Sequence, residues 1–194
     1  MKDKTEFLGY EEHDYNPIIR QKTLELLKGL LVKHNPKHIL EIGTFIGYST
    51  AIMLETCQDA FVTTVEKDEK NAAFAVQNLR DLGFDGRFQV VNEDAIEFLQ
   101  KTDKTYDFIF LDGPKGQYIK YLPIIKKLLK VGGVLVADDV LFYGLVNSLE
   151  TIKHKHRSIV NNLRKFLDTL KNDGDFRTVV YEFEDGVSVS EKIK

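Results

Sequence analysis

Short apolar runs that close on a carboxylate recur along this chain, and they restrict its fold more than any other feature. His38–Ile42 carries Glu41, Ala60–Glu66 (AFVTTVE) ends on Glu66, and Arg87–Asn92 leads to Asp94. Tyr106–Leu111 (YDFIFL) leads to Asp112, and Val134–Ala137 leads to Asp138-Asp139. Their length and β-branched or aromatic content predict buried strands. Helical stretches separate them: Gly47–Thr56, Asp68–Leu82 with Gly83 as its stop, Asp94-Ala95 to Leu99, and Tyr118–Leu129. This alternation predicts an α/β three-layer sandwich with a mostly parallel sheet. The carboxyl ends of parallel strands share one edge, so the six acids are expected to line a single crevice.

The flanks complete the chain. Residues 1–15 are polar and read as irregular or partly helical, and Pro17 sits where a helix can begin. Ile18–Val32 has Ile19, Leu24, Leu27, Leu30 and Leu31 at helical spacing, and Asn35-Pro36 ends it, so residues 1–35 form an N-terminal helical segment. Gly132-Gly133 reads as a turn into the fifth strand. Ser148–Leu170 reads as a long charged helix with Ile159, Leu163, Phe166, Leu167 and Leu170 on one face. Phe176–Glu182 and Gly186–Ser190 read as strands joined at Glu184-Asp185-Gly186. Without a linker or repeat, residues 1–194 read as one domain.

Composition excludes several classes. A net charge of -3 provides no global field for nucleic acid or anionic membrane. The one cysteine, Cys57, excludes an internal disulfide and is expected in the core. The charged N-terminus lacks a secretory apolar region, and no apolar run approaches a membrane span, so a cytoplasmic protein without membrane association is expected.

In Ile39–Thr50 (ILEIGTFIGYST) a strand, a glycine turn and a helix make a crevice of the kind that binds nucleotide-like cofactors. The third glycine of the dinucleotide fingerprint is missing. Glu41 would repel a pyrophosphate and suits a cationic or amine-bearing ligand such as S-adenosylmethionine. Glu66 is placed to accept from ribose hydroxyls, or else to cap the next helix. Asp94 can accept from an adenine amino group, cap a helix, or do both.

Asp112, Asp138 and Asp139 form the sharpest constellation. Three hard oxygen donors without a nearby histidine or cysteine suit Mg²⁺ or another hard divalent ion; the plain alternative is capping and solvated acids. Lys115, in LDGPKGQY, is either a base with a lowered pKa beside that metal or a solvated loop lysine. His154 and His156 do not share a helix face, so they do not read as a metal pair.

EIGTFIGYST, VEKDE, EDA, FLDGPKGQY and VLVADDVLFYGLV together resemble the metal-dependent class I O-methyltransferases of the catechol O-methyltransferase type, over nearly the whole chain. YEEHDYNPI, KGQY, LFYGLV and EDGVSVSEK are most similar to the bacterial tRNA 5-hydroxyuridine methyltransferase group. The resemblance implies a Rossmann-like methyltransferase sandwich with seven strands, the last antiparallel, and a homodimer. It implies S-adenosylmethionine contacts from Glu41, Gly43, Thr44, Gly47, Ser49, Glu66, Asp94, Ala95 and Asp112. It also implies a metal on Asp112, Asp138 and Asp139, with Asp112 and Lys115 catalytic. Two departures stand out: Asp139 replaces the family's usual Asn, and the N-terminal region is shorter than usual.

The implied reaction is methyl transfer to an oxygen whose neighbour also binds the metal. A small catechol and 5-hydroxyuridine in the tRNA anticodon wobble position both offer such a pair. The cationic run Lys153, His154, Lys155, His156, Arg157, Arg164 and Lys165 suits tRNA, or is a solvated helix face. A non-catalytic adenosylmethionine-binding protein is the alternative from another class, and the retained Asp112, Lys115 and Asp138 argue against it.

Overall fold

The computed structural model describes residues 3–10, 18–149 and 151–194. Pro17 and most of YEEHDYNPI lie outside the described residues. The chain divides into two compact units, Met1–Lys101 and Thr102–Lys194.

In the first unit the helix expected from Ile18 begins at Gln21, because Arg20 is extended; α1 spans Gln21–His34. It ends at Asn35, whose left-handed backbone (φ 42°) lets its N–H reach the carbonyl of Leu31 before Pro36. The remaining elements are β1 (His38–Ile42), α2 (Tyr48–Thr56), β2 (Phe61–Glu66), α3 (Glu69–Asp81), β3 (Phe88–Asn92) and α4 (Ala95–Lys101). β2 lies between β1 and β3, parallel to both, with Glu41 beside Thr64 and Glu66 beside Asn92. Leu27, Leu31, Ile39, Leu40, Ile52 and Met53 are fully buried. Each such side chain contributes about 1.5–3 kcal/mol.

The second unit contains β4 (Tyr106–Leu111), a 3-10 turn at Lys115–Gln117, α5 (Tyr118–Leu128), β5 (Leu129–Ala137), α6 (His154–Asn172), β6 (Phe176–Tyr181) and β7 (Val187–Lys192). β5 runs parallel to β4, while β7 is antiparallel to both β5 and β6. The seven strands belong to one mixed sheet with β7 reversed, as expected for a Rossmann-like methyltransferase.

Two elements differ from expectation. Gly132-Gly133 is not a turn before the fifth strand, because β5 already starts at Leu129. Leu129 pairs with Tyr106 and Val134 with Phe108, so the glycines are absorbed in a bulge. The long helix begins at His154 rather than Ser148 and presents Val160, with Leu163, Phe166, Leu167 and Leu170, to the core; Ile159 is only half-buried. The hairpin forms where expected: Gly186 (φ 79°) donates to the carbonyl of Phe183. Among the described residues no helix is long and apolar enough to cross a membrane.

Candidate functional site

The glycine turn of the first unit is built around a buried carboxylate. Glu41 is 0% exposed. It accepts from Ser49 Oγ at 2.5 Å, from Thr64 Oγ1 at 2.6 Å and from Thr50 Oγ1. One side chain thus ties the end of β1 to the first turn of α2 and the middle of β2. Thr44 is also buried, with its hydroxyl 2.5 Å from that of Thr64. The hydroxyls of Ser49 and Thr44, both expected at the cofactor, are turned to these protein partners. Burial without hydrogen bonds would make Glu41 very costly, so Thr50 and Thr64 are necessary members of the cluster.

The turn has an unusual backbone. Gly43 (φ 100°), Phe45 (φ 49°) and Gly47 (φ 85°) all lie in the left-handed region. At Gly47 a Cβ would also sit 3.2 Å from that of Ala75, so glycine lets α2 and α3 approach closely. Phe45, a bulky residue in strained backbone, is held by its N–H donating to Glu66 Oε2 at 2.8 Å. Glu66 Oε1 accepts from the N–H of Asp68 at 2.8 Å. The cap of α3 is Asp68 itself, which accepts from the N–H of Asn71. Glu66 therefore braces both the glycine turn and the start of α3.

Asp94 takes the capping role expected of it and adds an ion pair that was not expected. Its Oδ1 accepts at 3.1 Å from the N–H of Ile96, the residue after Ala95 in the first turn of α4, and its Oδ2 pairs with Lys67 at 2.9 Å. The Lys67 hydrogen bond, then that of Ile96, holds the Asp94 carboxyl below its ordinary value.

In the second unit Asp112 follows β4, while Asp138 and Asp139 follow β5. Tyr118, fully buried, donates toward the carbonyls of Leu111 (3.0 Å) and Asp138 (3.2 Å), which fixes the two strand ends together. Asp138 Oδ1 accepts from the N–H of Asp139 at 2.8 Å. Asp139 has φ 55°, a backbone conformation that Asn and Asp tolerate better than most side chains. Asn162 of α6 donates to the carbonyl of Gly116 at 2.9 Å and so steadies the turn that carries Lys115.

The ammonium of Lys115 lies 2.6 Å from Asp112 Oδ1 and 3.2 Å from Asp139 Oδ2. Burial alone would lower its pKa. Asp112, Tyr118 and Asp139 outweigh that effect and hold it well above the ordinary lysine value. A lowered value is the expectation beside a metal; here the carboxylates expected to hold that metal face the lysine itself. Burial, then Asp112 and Asp139, pushes the Asp138 carboxyl up to about 8.

Among the described residues no three acidic, histidine or cysteine side chains are gathered as a metal-ligand group. The donor chemistry nevertheless fits a hard divalent cation. Two carboxylates, Asp112 and Asp139, face the one ammonium of Lys115, and Asp138, next to Asp139, adds a further hard oxygen donor.

Residues 12–193 match the model of the O-methyltransferase family. The chain belongs to that family. A caffeoyl-CoA O-methyltransferase of Populus kitakamiensis is 32% identical over 138 residues, covering 67% of this chain and 57% of that protein. A Staphylococcus aureus structure, provisionally described as a caffeoyl-CoA O-methyltransferase, superposes with TM-score 0.84 and 34% identity over 91% of this chain and 85% of that one. An O-methyltransferase of Bacillus cereus in complex with SAH shares the fold, with TM-score 0.81 and 24% identity over 91% and 83% of the two chains. The chain spans 53 to 62% of the length of the curated relatives it matches.

Thr50, Thr64, Tyr118 and Asn162 do structural work at these clusters beyond the residues singled out in the sequence. The signal for Thr64 was a polar residue in the middle of a buried strand. Tyr118 and Asn162 gave none, since their partners are backbone carbonyls.

Proposed function

We propose that the chain transfers a methyl group from S-adenosylmethionine to a hydroxyl of an acceptor with two adjacent oxygens. The carbon–sulfur bond of the donor breaks as the carbon–oxygen bond forms, and the hydroxyl proton passes to a base. The observation carrying this reading is the carboxylate surplus around Lys115 in a member of the O-methyltransferase family. Asp112, Asp138 and Asp139 would hold a divalent cation such as Mg²⁺, which in such a site lowers the pKa of an acceptor hydroxyl. Lys115 keeps its proton while Asp112 and Asp139 face it alone. Sharing their charge with a cation moves it in the direction a general base requires. In the first unit Glu66 has acceptor capacity left for ribose hydroxyls, and the turn it braces would receive the rest of the donor.

For the acceptor we infer 5-hydroxyuridine at the wobble position of a tRNA. The support lies at the start of α6, where Lys153, His154, Lys155 and Arg157 are exposed. Nearby, His156 and Tyr143 each stack edge-on against Phe142, and Tyr143 is 56% exposed. Cations beside an exposed aromatic ring suit an unpaired nucleic-acid strand. Arg164 is not part of that surface in the same sense, since it donates to the carbonyls of Val146, Leu145 and Ser148.

A small catechol-like acceptor is the second reading, favoured by the plant relatives' names. A methyl-transfer assay with hypomodified tRNA and a catechol panel, with and without Mg²⁺, separates the two. Methylation of tRNA alone supports the first, and methylation of catechols alone overturns it. Activity that persists under strong chelation overturns the metal.

A further inference from the structure

The glycine turn is held at a second point that does not belong to the sheet. Asn78, in α3, is 5% exposed, and both ends of its amide are used. Its Oδ1 accepts from the N–H of Leu8 at 2.8 Å. Its Nδ2 donates to the carbonyls of Leu8 and Ile46, each at 3.0 Å. Ile46 lies inside the turn, next to Phe45, whose N–H is held by Glu66.

Residues 7–10 are fitted to this bracket from both sides. Phe7 is buried and packs edge-on against Tyr48, at the first turn of α2, with ring centroids 5.3 Å apart. Gly9 (φ 80°) lies so close to the ring of Phe74 in α3 that a Cβ would fall 2.4 Å from it. Only glycine satisfies both the backbone and the gap.

We propose that residues 3–10 form a strap that Asn78 couples to the glycine turn, and that the strap sets the affinity of the first unit for its adenosyl ligand. Asn78 is a positioning residue in this scheme. It fixes the Ile46 carbonyl and thereby the path of the left-handed backbone between Gly43 and Gly47. The proposal rests on the reading of that turn as an S-adenosylmethionine site.

The test compares the wild type with Gly9→Ala, which expels the strap, and Asn78→Asp, which keeps the acceptor for Leu8 and loses both donors. Hydrogen exchange of residues 43–47 is read alongside calorimetric binding of S-adenosylhomocysteine. Both variants are expected to lose protection in 43–47 while β1 and β2 keep theirs, and to bind about tenfold more weakly. A merely structural role would loosen the whole unit together. Unchanged protection of 43–47 in Gly9→Ala, where the fold itself is not at risk, overturns the proposal. So does turn-specific loosening with unchanged affinity. A wild type that binds no S-adenosylhomocysteine overturns the reading of the site. The exchange arm then still decides whether strap and turn are coupled.

Discussion

Glu41 places a carboxylate where solvent does not reach, and three hydroxyls make that tolerable. Replacing Thr64 by Val removes one of them at almost constant volume, leaving Thr50 on Glu41 Oε2 and taking away the Thr64 hydroxyl that pairs with buried Thr44. The expected cost is about 1–3 kcal/mol, read by urea unfolding. Asp138 gives a pH signature. Its folded pKa of about 8 lies above the unfolded value of about 3.9. Its contribution is therefore fully present below pH ~4 and is lost as pH rises through about 8. Under chelation the protein should lose stability across that window, and Asp138→Asn should flatten the curve and exceed wild-type stability at pH 8. A wild-type melting temperature that does not fall between pH 5 and pH 8 would count against this assignment. At this scale the acids were legible from their place at strand ends. Their immediate partners were not, because a pairing such as Glu41 with Thr64 exists only once β1 and β2 are in register.

The elements that alternate apolar runs with helices were readable almost to the residue, as β1 and β4 show. Those that depend on distant groups were not. At the β5 bulge a Cβ on Gly133 would meet Leu129 at 2.8 Å and the carbonyls of Asp107 and Lys130 at 2.9 Å. Gly133→Ala should therefore cost about 1–3 kcal/mol, visible as a lower unfolding midpoint. The segment after β5 is set by distant groups as well: Phe142 (φ 44°) and Tyr143 (φ 56°) are left-handed. They are held there because Val140 and Leu141 donate to the carbonyls of Gly186 and Asp185, which follow more than forty residues later in the chain. Arg164→Met keeps much of the aliphatic stem and removes the guanidinium that gathers three carbonyls of this segment. Faster proteolysis or amide exchange within residues 145–148 is the expected result, with α6 still protected.

For the molecule as a whole, ligand binding should show as stabilisation. S-adenosylhomocysteine and Mg²⁺ should each raise the melting temperature. At a concentration of 100 Kd either adds about 2.7 kcal/mol, and the Mg²⁺ increment should vanish in Asp138→Asn. A thermal scan without any response to S-adenosylhomocysteine at millimolar concentration would contradict the proposed donor. The net charge of -3 describes the average of a surface that is cationic at the start of α6 and anionic at the ends of β4 and β5. One of those anionic charges stands on a backbone that sorts residues by shape alone. The φ of 55° at Asp139 admits Asn and Asp with nearly equal ease. A lineage can therefore exchange a full negative charge for none there, by a single substitution, without bending the chain. Drift at this position is an adjustment of electrical bias that leaves the architecture untouched.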